Sequence, residues 1–441
     1  MKFPEISELY SVYQKFPNVI TDSRKASANS IFFALKGDNF NGNQFAESAL
    51  QQGCNYAIID EEQYYIEEKT ILVKDCLKTL QDIAMHHRTQ LKIPVIGITG
   101  SNGKTTTKEL IKIVLSKKYR VLATVGNLNN HIGVPLTILS ISPDIEIAVI
   151  EMGANHVGEI ELLCEIAQPG FGLITNIGKA HIGEFGSFEN VIKTKTELFL
   201  FLRNNKGKIF INSSDNLLLS NALKLEKISY GNSENDFSCC KFLEANPLLK
   251  VLNEKEVISS KLIGKYNFEN VSAAICIGKY FKVETQKIKE AIEEYTPSNN
   301  RSQIIHTKKH TLVLDAYNAN PSSMKVAIEN FSELSLKELS SDGKGENKWL
   351  ILGDMLELGE YEINEHKKIL QLLTEKKLHN VILVGEKFSR AASEMKKNFL
   401  QFNSSDELAK ALKSNSPIGN NSLILIKGSR GIKLEKVVEF L

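Results

Sequence analysis

The segment GITGSNGKTTTKE, residues 97–109, has the residue types and spacing of a loop that binds nucleotide phosphates. Gly100 and Gly103 would let the backbone approach the phosphate oxygens. Lys104 could reach the β and γ oxygens, and the Thr105 hydroxyl could bind Mg²⁺. A glycine-rich turn with an exposed lysine is the simpler interpretation, and the first glycine stands one position earlier than in the usual pattern. A strand-like segment precedes this turn and a helix-like segment follows it, so we expect phosphate binding.

Three further groups follow predicted strands, where open α/β sheets carry their chemistry. Glu151 ends EIAVIE and could bind the same Mg²⁺ as the phosphate loop. A lone glutamate is more often a helix cap or an ion-pair partner, but this one follows the loop by one β-α-β step. His181 lies among glycines in GLITNIGKAHIGEFGS, although a single histidine is more often a surface or core residue than a ligand. Lys193 and Lys195 in VIKTKTELF would ordinarily be solvated lysines on different faces of a helix.

The composition is that of an ordinary globular protein. The 441 residues indicate about three domains, and 42% apolar with 24% charged residues is typical of a folded chain. The net charge of +2 lacks the basic excess of nucleic-acid binders, so we expect no nucleic-acid partner. The amino terminus does not resemble a signal peptide, and no apolar run approaches the length of a membrane span, so we expect no membrane insertion. The six cysteines lack metal-ligand spacing and indicate reduced thiols in a cytoplasmic protein.

The distribution of predicted strands and helices divides the chain into three α/β units. Residues 1–92 read as a small α/β domain. Residues 93–298 contain buried strands separated by helices, which predicts a P-loop-type parallel sheet with crossover helices. Residues 299–441 carry another strand series and predict a Rossmann-like α/β domain. The polar segment TPSNNRSQ lies at the second boundary and reads as a linker.

A series of segments in the middle unit resembles the central domain of the Mur ligases, the ATP-dependent amide-forming enzymes of peptidoglycan synthesis. These segments are TGSNGKTTTKE, GNLNNHIGVPLTIL, IEMGANHVGEI, NIGKAHIGEFGS and KTKTELF, in this order. Five further segments are similar to the family member that joins D-alanyl-D-alanine to a UDP-N-acetylmuramoyl-tripeptide. They are TDSRK, FFALKGDNFNGNQFA, DAYNANPSSM, ILGDMLELGE and ILIKGSRG, and with them the resemblance extends over nearly the whole chain.

The resemblance implies an ATP site and two Mg²⁺ ions in the middle unit. Thr105 and Glu151 would bind one ion, and His181 would bind the second together with a carbamylated Lys195. Asn270 matches an adenine contact, although Tyr266 stands nearby where the family usually has histidine. Arg301 matches a γ-phosphate contact and Asp315 a ribose contact. The implied phosphate cradle is Gly100, Ser101, Asn102, Gly103, Lys104, Thr105 and Thr106, and the implied catalytic residues are Lys104, His181, Lys195 and Arg301.

The resemblance also implies how the small-molecule substrates bind and leaves rival functions to be tested. Another Mur ligase or a folylpolyglutamate synthase-like ligase is one alternative, against which DAYNANPSSM argues. A P-loop NTPase without ligase activity is another, and it would need neither the His181 and Lys195 motifs nor a third α/β unit. We expect a monomer because no long amphipathic surface helix or apolar patch can be recognised in the sequence. The implied substrate residues are Ser23, Arg24, Lys36, Asn127, Asn129, Asn130, Asn155, His156, Asn318 and Asn320.

Overall fold

The computed structural model describes residues 3–178, 182–298, 300–334 and 347–441. It contains three main sheets in succession along the chain, each with its own helices, and a two-stranded ribbon in the first unit. The predicted α/β class with three units is therefore confirmed. Among the described residues, every helix is too short or too polar to cross a lipid bilayer.

The amino-terminal unit is a small parallel sheet covered by three helices, with a short two-stranded ribbon beside it. Its strand SIFF is buried at all four positions, as expected for a strand in the centre of a parallel sheet. Along the chain it contains α1 Ile6–Lys15, β1 Asn18–Ile20, β2 Ser30–Phe33, β3 Lys36–Gly37, β4 Phe40–Asn41, α2 Ala46–Gln51, β5 Tyr56–Ile59, β6 Thr70–Leu72 and α3 Cys76–Gln90.

The middle unit is built on the largest sheet and contains the phosphate-loop segment between its first strand and first helix. Along the chain it contains β7 Val95–Thr99, α4 Lys104–Ser116, β8 Val121–Ala123, α5 Gly133–Leu139, β9 Ile147–Glu151, α6 Glu159–Ala167, β10 Phe171–Ile174, α7 Ile182–Phe185, α8 Phe188–Asn204, β11 Lys208–Asn212, α9 Asn216–Asn221, β12 Glu226–Gly231, β13 Ser238–Ala245, β14 Leu248–Asn253, β15 Glu256–Ile263, α10 Asn267–Tyr280 and α11 Thr285–Glu294.

The carboxy-terminal unit is a six-stranded sheet with helices between its parallel strands. Along the chain it contains β16 Gln303–His306, β17 His310–Asp315, α12 Pro321–Glu333, β18 Lys348–Gly353, α13 Glu362–Glu375, β19 Val381–Val384, α14 Glu386–Glu394, β20 Leu400–Phe402, α15 Ser405–Asn415 and β21 Ser422–Lys427. The described 3₁₀ helices that belong to the amino- and carboxy-terminal units are Ser23–Lys25, Gly42–Phe45, Glu62–Tyr64, Gly359–Tyr361, Arg430–Ile432 and Leu434–Phe440.

The strand orders determine where functional side chains can meet. The amino-terminal sheet runs β1-β2-β5-β6, and the carboxy-terminal sheet runs β16-β17-β21-β18-β19-β20. In the latter, β16 is antiparallel to β17, and the other described neighbours are parallel. The middle sheet runs β15-β14-β13-β12-β11-β10-β7-β9-β8. In it, β7 lies between β9 and β10 and is parallel to both. The carboxyl ends of these three central strands, Thr99, Glu151 and Ile174, therefore lie at one edge of the sheet.

Part of the middle sheet departs from the predicted parallel pattern. The strands β13, β14 and β15 form an antiparallel edge. Their side chains alternate between buried and more exposed positions, as in LLKVLN, whereas the central strand VIGIT is buried throughout. Alternation of this kind is typical of an antiparallel sheet with one solvated face.

The two predicted domain boundaries fall between regular elements and stay predictions. Residue 92 lies in the connection from α3 to β7, and residue 298 lies between α11 and β16. The amino-terminal unit contacts the middle unit through side-chain hydrogen bonds to main-chain carbonyls. Tyr13 Oη donates to Leu139 O at 2.6 Å, and Arg88 Nε donates to Ala167 O at 2.8 Å.

Candidate active site

A cavity of about 810 Å³ is lined by residues of the middle and carboxy-terminal units. It brings together most of the side chains that the sequence singled out, although they lie up to 220 positions apart in the chain. The predicted residues that line it are Gly100, Ser101, Asn102, Gly103, Lys104, Thr105, Thr106, Asn127, Asn129, Asn130, Glu151, Asn155, Lys195, Asn270, Arg301, Asp315, Asn318 and Asn320.

The phosphate loop has the backbone conformation that its glycines were expected to allow. Gly100 has φ 142° and Gly103 has φ 79°, both in the region that favours glycine. A Cβ at Gly100 would lie 2.1 Å from Thr175 Oγ1, and one at Gly103 would lie 2.6 Å from Asn270 Oδ1. Helix α4 starts directly after the loop with no side-chain cap. Its first N–H groups and its positive dipole end therefore face the loop, as an anion site requires.

Lys104 lies over this loop. Its Nζ donates to Gly100 O at 2.6 Å and to Ser101 O at 3.3 Å. Burial lowers the pKa of Lys104, nearby Arg301 lowers it further, and Glu151 opposes both. An arriving phosphate can replace the two carbonyl groups as the partner of this ammonium with only a side-chain movement.

Glu151 and Thr105 form the side of the site that fits a divalent cation. Thr105 Oγ1 donates to Glu151 Oε1 at 3.1 Å, and Asn129 Nδ2 donates to the same oxygen at 2.9 Å. Glu151 is only 1% exposed, and its Oε2 has no hydrogen-bond partner among the described residues. A buried carboxylate oxygen left without a hydrogen bond beside a hydroxyl is a suitable pair of hard ligands for Mg²⁺.

Lys108 is a residue of this site that sequence reasoning missed. It is 1% exposed, and its Nζ lies 3.7 Å from Glu151 Oε2 and donates to Thr124 O at 2.7 Å. The hydroxyl of Thr124 in turn accepts a hydrogen bond from Glu151 N at 2.9 Å. The sequence signal was available, because Lys108 follows Thr105 by three positions and so shares its face of α4.

Lys195 is buried on α8 and faces the cavity. It is 3% exposed, its Nζ donates to Ala154 O at 3.4 Å, and the ammonium lies 5.4 Å from the centre of the Phe185 ring. Burial and the nearby Lys104 lower the pKa of Lys195 to about 7, against the opposing effect of two glutamates. A solvated lysine, the ordinary interpretation of KTKTELF, is therefore excluded at this position. His181, the other predicted ligand here, lies outside the described residues.

The carboxy-terminal unit contributes an arginine stacked on a tyrosine. The Arg301 guanidinium carbon lies 3.8 Å from the centre of the Tyr317 ring, and Arg301 Nε is buried with no hydrogen-bond partner among the described residues. The flanking Asn300 and Ser302 have φ 57° and 48°, which is unfavourable for residues with a Cβ. Ser302 Oγ shares a 2.5 Å hydrogen bond with Tyr266 Oη, which connects the linker to the middle unit.

Asp315 forms an ion pair with a buried lysine that the sequence did not indicate. Lys427 Nζ donates to Asp315 Oδ2 at 2.6 Å and contacts Asn318 O at 3.3 Å, and the lysine side chain is 2% exposed. Both charged residues end parallel neighbouring strands, β17 and β21. One Asp315 oxygen therefore bonds to Lys427. This ion pair joins the ends of β17 and β21, and Asp315 itself was predicted to contact the ribose.

The Asn270 side chain packs against the phosphate loop at Gly103. Its Oδ1 accepts from Thr107 Oγ1 at 3.0 Å, and its Nδ2 donates to Asn267 Oδ1 at 2.8 Å. Together with the 2.6 Å approach to a Cβ placed at Gly103, these bonds put the amide against the start of α4. Contact with an adenine ring stays a prediction.

Four of the predicted substrate residues do not line this cavity. His156 has a 67% exposed side chain whose Nδ1 lies 3.4 Å from Glu159. The other three lie in the amino-terminal unit, where Arg24 pairs with Asp22 at 2.8 Å and Lys36 pairs with Asp60 at 2.9 Å. Those three, Ser23, Arg24 and Lys36, stay predictions for a separate binding surface.

Comparison with known proteins gives the family of the chain. The family model of the Mur ligase middle domain matches residues 98–278. The model of the Mur ligase, glutamate ligase domain matches residues 300–430, and that of the Mur ligase family, catalytic domain matches residues 15–88. The chain belongs to the Mur ligase family.

Relatives of this Mur ligase match it along nearly its whole length. UDP-N-acetylmuramoyl-tripeptide–D-alanyl-D-alanine ligase of Bacillus subtilis is 36% identical over 96% of this chain and 92% of its own. The enzyme of the same name from Escherichia coli is 30% identical over 96% and 93%.

Solved structures agree with the fold of this Mur ligase. A crystal structure of MurF from Acinetobacter baumannii superposes with a TM-score of 0.83, at 27% identity over 100% of this chain and 98% of that one. MurF ligase from Thermotoga maritima, in complex with ADP, gives a TM-score of 0.79 at 26% identity, over 96% of both chains. The three-unit architecture predicted from the sequence is therefore that of solved family members.

Proposed function

We propose that this Mur ligase joins D-alanyl-D-alanine to a UDP-N-acetylmuramoyl-tripeptide and converts ATP to ADP and phosphate. The chain is similar over nearly its full length to UDP-N-acetylmuramoyl-tripeptide–D-alanyl-D-alanine ligases, and this similarity supports the assignment. The observation that carries it is the cavity itself, where the phosphate loop, Glu151 and Lys195 of the middle unit face Arg301 and Asp315 of the carboxy-terminal unit.

The chemistry follows from the low reactivity of a carboxylate toward amines. An oxygen of the terminal tripeptide carboxylate attacks the γ-phosphorus of ATP, and ADP leaves to give an acyl phosphate. The amine of D-alanyl-D-alanine attacks the acyl carbon, phosphate leaves, and the nitrogen loses a proton to give the amide. Lys104 and Arg301 would offset the charge that spreads over the transferring phosphoryl group. Contact between the two units would exclude water, which would otherwise hydrolyse the acyl phosphate.

We further infer that Thr105 and Glu151 hold Mg²⁺ beside the phosphate loop, because Glu151 Oε2 accepts no hydrogen bond from the described residues and is free to bind a cation. Bound there, the ion would supply charge neutralisation at the phosphate oxygens. Lys195 is proposed to carry a carbamate, formed when its neutral amine attacks CO₂ and releases a proton. The lowered pKa of about 7 supplies that neutral amine near neutral pH. With His181, the carbamate oxygens would provide ligands for a second Mg²⁺.

The remaining predicted contacts complete the proposal. Residues 100–106 would bind the ATP phosphates, Asn270 the adenine and Asp315 the ribose. Ser23, Arg24 and Lys36 would contact the uridine nucleotide. Asn127, Asn129, Asn130, Asn155 and His156 would line the path of the sugar-peptide, and Asn318 and Asn320 would contact the substrates. Domains 1–92, 93–298 and 299–441 are proposed to form a cytoplasmic monomer, in keeping with six free cysteines.

A phosphate-release assay tests the proposed function directly. We expect phosphate release from ATP only when the UDP-linked tripeptide and D-alanyl-D-alanine are both present, with the pentapeptide product detected by mass spectrometry. Phosphate release that is independent of either substrate would instead indicate an NTPase without ligase activity. Release with another amino acid in place of the dipeptide would indicate a different member of the family.

A further inference from the structure

The Glu151 carboxylate, at the end of β9, is almost fully buried and has an unequal set of neighbours. Its Oε1 accepts hydrogen bonds from Thr105 and Asn129, whereas its Oε2 accepts none from the described residues. A buried ionised carboxylate is costly unless a cation offsets its charge. The site therefore needs a positive charge even before a ligand enters the cavity.

Lys108 supplies that charge from within the middle unit. Its Nζ lies 3.7 Å from Glu151 Oε2, and the lysine side chain is 1% exposed. Lys108 follows Thr105 by three positions on α4, so the two side chains share one face of the helix. Thr105 and Glu151 line the cavity, but Lys108 does not. The ammonium therefore approaches Glu151 from the protein interior and leaves the cavity side to a metal ion.

The Lys108 ammonium is also held by groups other than Glu151. Its Nζ donates to Thr124 O at 2.7 Å and lies 3.3 Å from Glu109 Oε1. Thr124 follows β8, and its hydroxyl accepts from Glu151 N at 2.9 Å. The carbonyl that fixes the ammonium thus belongs to a residue that also bonds to the Glu151 backbone. We expect the charge of Lys108 to stay beside Glu151 whichever ligand enters the cavity.

Lys104, the lysine one turn earlier on α4, has a different task. It lines the cavity, and its Nζ donates to Gly100 O and Ser101 O of the phosphate loop. An arriving phosphate would become the partner of this ammonium. Lys108, by contrast, is enclosed on the protein side of Glu151, so its charge acts on that carboxylate rather than on the nucleotide.

A fixed cation at this place affects how a metal ion binds. Mg²⁺ at Glu151 would share one carboxylate with an ammonium, and like charges a few ångströms apart repel each other. Glu151 and Lys108 together carry no net charge, so the free enzyme offers little attraction to a divalent cation. ATP phosphates at the start of α4 would add both negative charge and oxygen ligands. The metal ion is therefore favoured when it arrives with the nucleotide.

We propose that Lys108 is the resident counter-cation of Glu151. It neutralises this carboxylate before the nucleotide binds and keeps free Mg²⁺ from occupying the site ahead of MgATP. This inference rests on the proposed function, which places Mg²⁺ at Thr105 and Glu151, and it adds a positioning residue behind that metal site. Lys108 takes no part in the chemical step itself.

Binding of Mn²⁺ to the nucleotide-free enzyme tests this inference, with electron paramagnetic resonance as the measure of free Mn²⁺. Lys108→Met removes the charge and keeps the length of the side chain. We expect it to bind Mn²⁺ about tenfold more tightly than the wild type, because a repelling cation is gone. Structural damage would weaken binding, so it cannot produce this gain. Lys112→Met changes an exposed lysine of the same helix and should leave the affinity unchanged.

Thermal melts provide a second measurement. Lys108→Met leaves the buried Glu151 without its counter-cation, so in EDTA it should melt at a lower temperature than the wild type. Mg²⁺ without nucleotide should raise the melting temperature of the variant more than that of the wild type, at ionic strength matched with KCl, because the tighter ion stabilises the fold more. A purely structural role of Lys108 would leave the same Mg²⁺ response in both proteins.

Glu109→Gln is a second variant, which changes the site in the opposite direction. It removes the other carboxylate beside the Lys108 ammonium and leaves the lysine in place, so Mn²⁺ should bind more weakly than to the wild type. If Lys108→Met does not fold, this variant decides the outcome. Unchanged or weaker Mn²⁺ binding in folded Lys108→Met would overturn the inference, and so would unchanged or tighter binding in Glu109→Gln.

Glu151→Gln separates this inference from the proposed function. Added to Lys108→Met, it should abolish the gained Mn²⁺ binding, and alone it should weaken Mn²⁺ binding in the presence of an ATP analogue. If Glu151→Gln and the wild type bind Mn²⁺ equally with the analogue, the metal site of the proposed function is refuted, and the inference with it. If only the Lys108 and Glu109 results fail, the metal site stands and Lys108 is a structural lysine.

Discussion

Asn102 in the phosphate loop and Asn320 at the start of α12 are joined by a 2.9 Å hydrogen bond between two units of the protein. Asn320 Nδ2 donates to Asn102 Oδ1, and Asn102 Nδ2 donates to Ser322 Oγ at 3.2 Å. Asn320 Oδ1 also caps α12 by accepting from Ser323 N at 2.8 Å. The loop expected to hold the ATP phosphates is therefore bound directly to the segment DAYNANPSS of the carboxy-terminal unit.

The first prediction is that this bridge stabilises the closed arrangement of the two units. Asn320→Ser should preserve the helix cap, because serine is also a favoured cap, but its side chain is too short to reach Asn102. Loss of one neutral hydrogen bond should lower kcat/KM for the dipeptide by roughly 2- to 13-fold. Small-angle scattering with ATP analogue and both substrates should show a larger radius for the variant than for the wild type.

Asn330→Ala is the control for the bridge. Asn330 lies on the same helix, and its Oδ1 accepts a hydrogen bond from Lys265 N of the middle unit at 3.2 Å, away from the phosphate loop. If both variants lose activity equally, the effect is a general weakening of the contact between units and the bridge has no special role.

The second prediction concerns Lys104. Lys104→Ala removes the ammonium over the loop, and loss of one preorganised donor to a developing charge typically costs about 10²–10³ in kcat. Phosphate release measures the rate, and a thermal melt close to that of the wild type would show that the fold is intact. Near-normal turnover would remove this side chain from the mechanism.

Local sequence predicted the parts of the site that are local in the chain. The phosphate loop and Glu151 follow strands at the same edge of one parallel sheet, so spacing and periodicity were enough to place them. Asn320 stays a predicted substrate residue, and in the structure its side-chain amide also caps α12 and contacts Asn102, 218 positions away. No local pattern encodes that contact, because it depends on how two separately folded units meet.

Two buried lysines were missed for a related reason. Lys108 and Lys427 were not singled out from the sequence, yet they are 1% and 2% exposed. Burial of a lysine is favourable only beside a partner such as Asp315, and that partner is chosen by strand order rather than by neighbouring sequence. The stacking of Arg301 on Tyr317 likewise required the three-dimensional path of the linker.

The third prediction is a loss of stability in mild acid that arises at His87. Its Nδ1 lies 3.0 Å from Tyr10 Oη and its Nε2 lies 3.1 Å from Ile141 O, and burial lowers the pKa of His87 below the usual 6.5. The unfolded chain therefore takes up a proton near pH 6.5 that the folded chain resists. The free energy of unfolding should fall as pH drops below 6.5, until folded His87 is itself protonated.

Denaturant titrations between pH 7.5 and 5 check this effect. His87→Gln should be less sensitive to pH than the wild type by up to about 1.4 kcal/mol per pH unit. The exposed His379 provides the control, and His379→Gln should retain the wild-type slope. Parallel slopes for the wild type and His87→Gln would contradict the assignment and place the acid sensitivity elsewhere.

The last prediction is that Lys195 acts as a carbamate. With a pKa of about 7 it is substantially neutral near pH 7, which the reaction with CO₂ requires. Lys195→Ala should be nearly inactive, and short carboxylic acids small enough for the vacated space should restore part of the rate. Wild-type protein in ¹³C-bicarbonate should give a carbamate NMR signal that Lys195→Ala lacks, whereas the exposed-site control Lys193→Ala keeps both signal and activity. Retention of most activity in Lys195→Ala would show that the buried amine has no role in ligation.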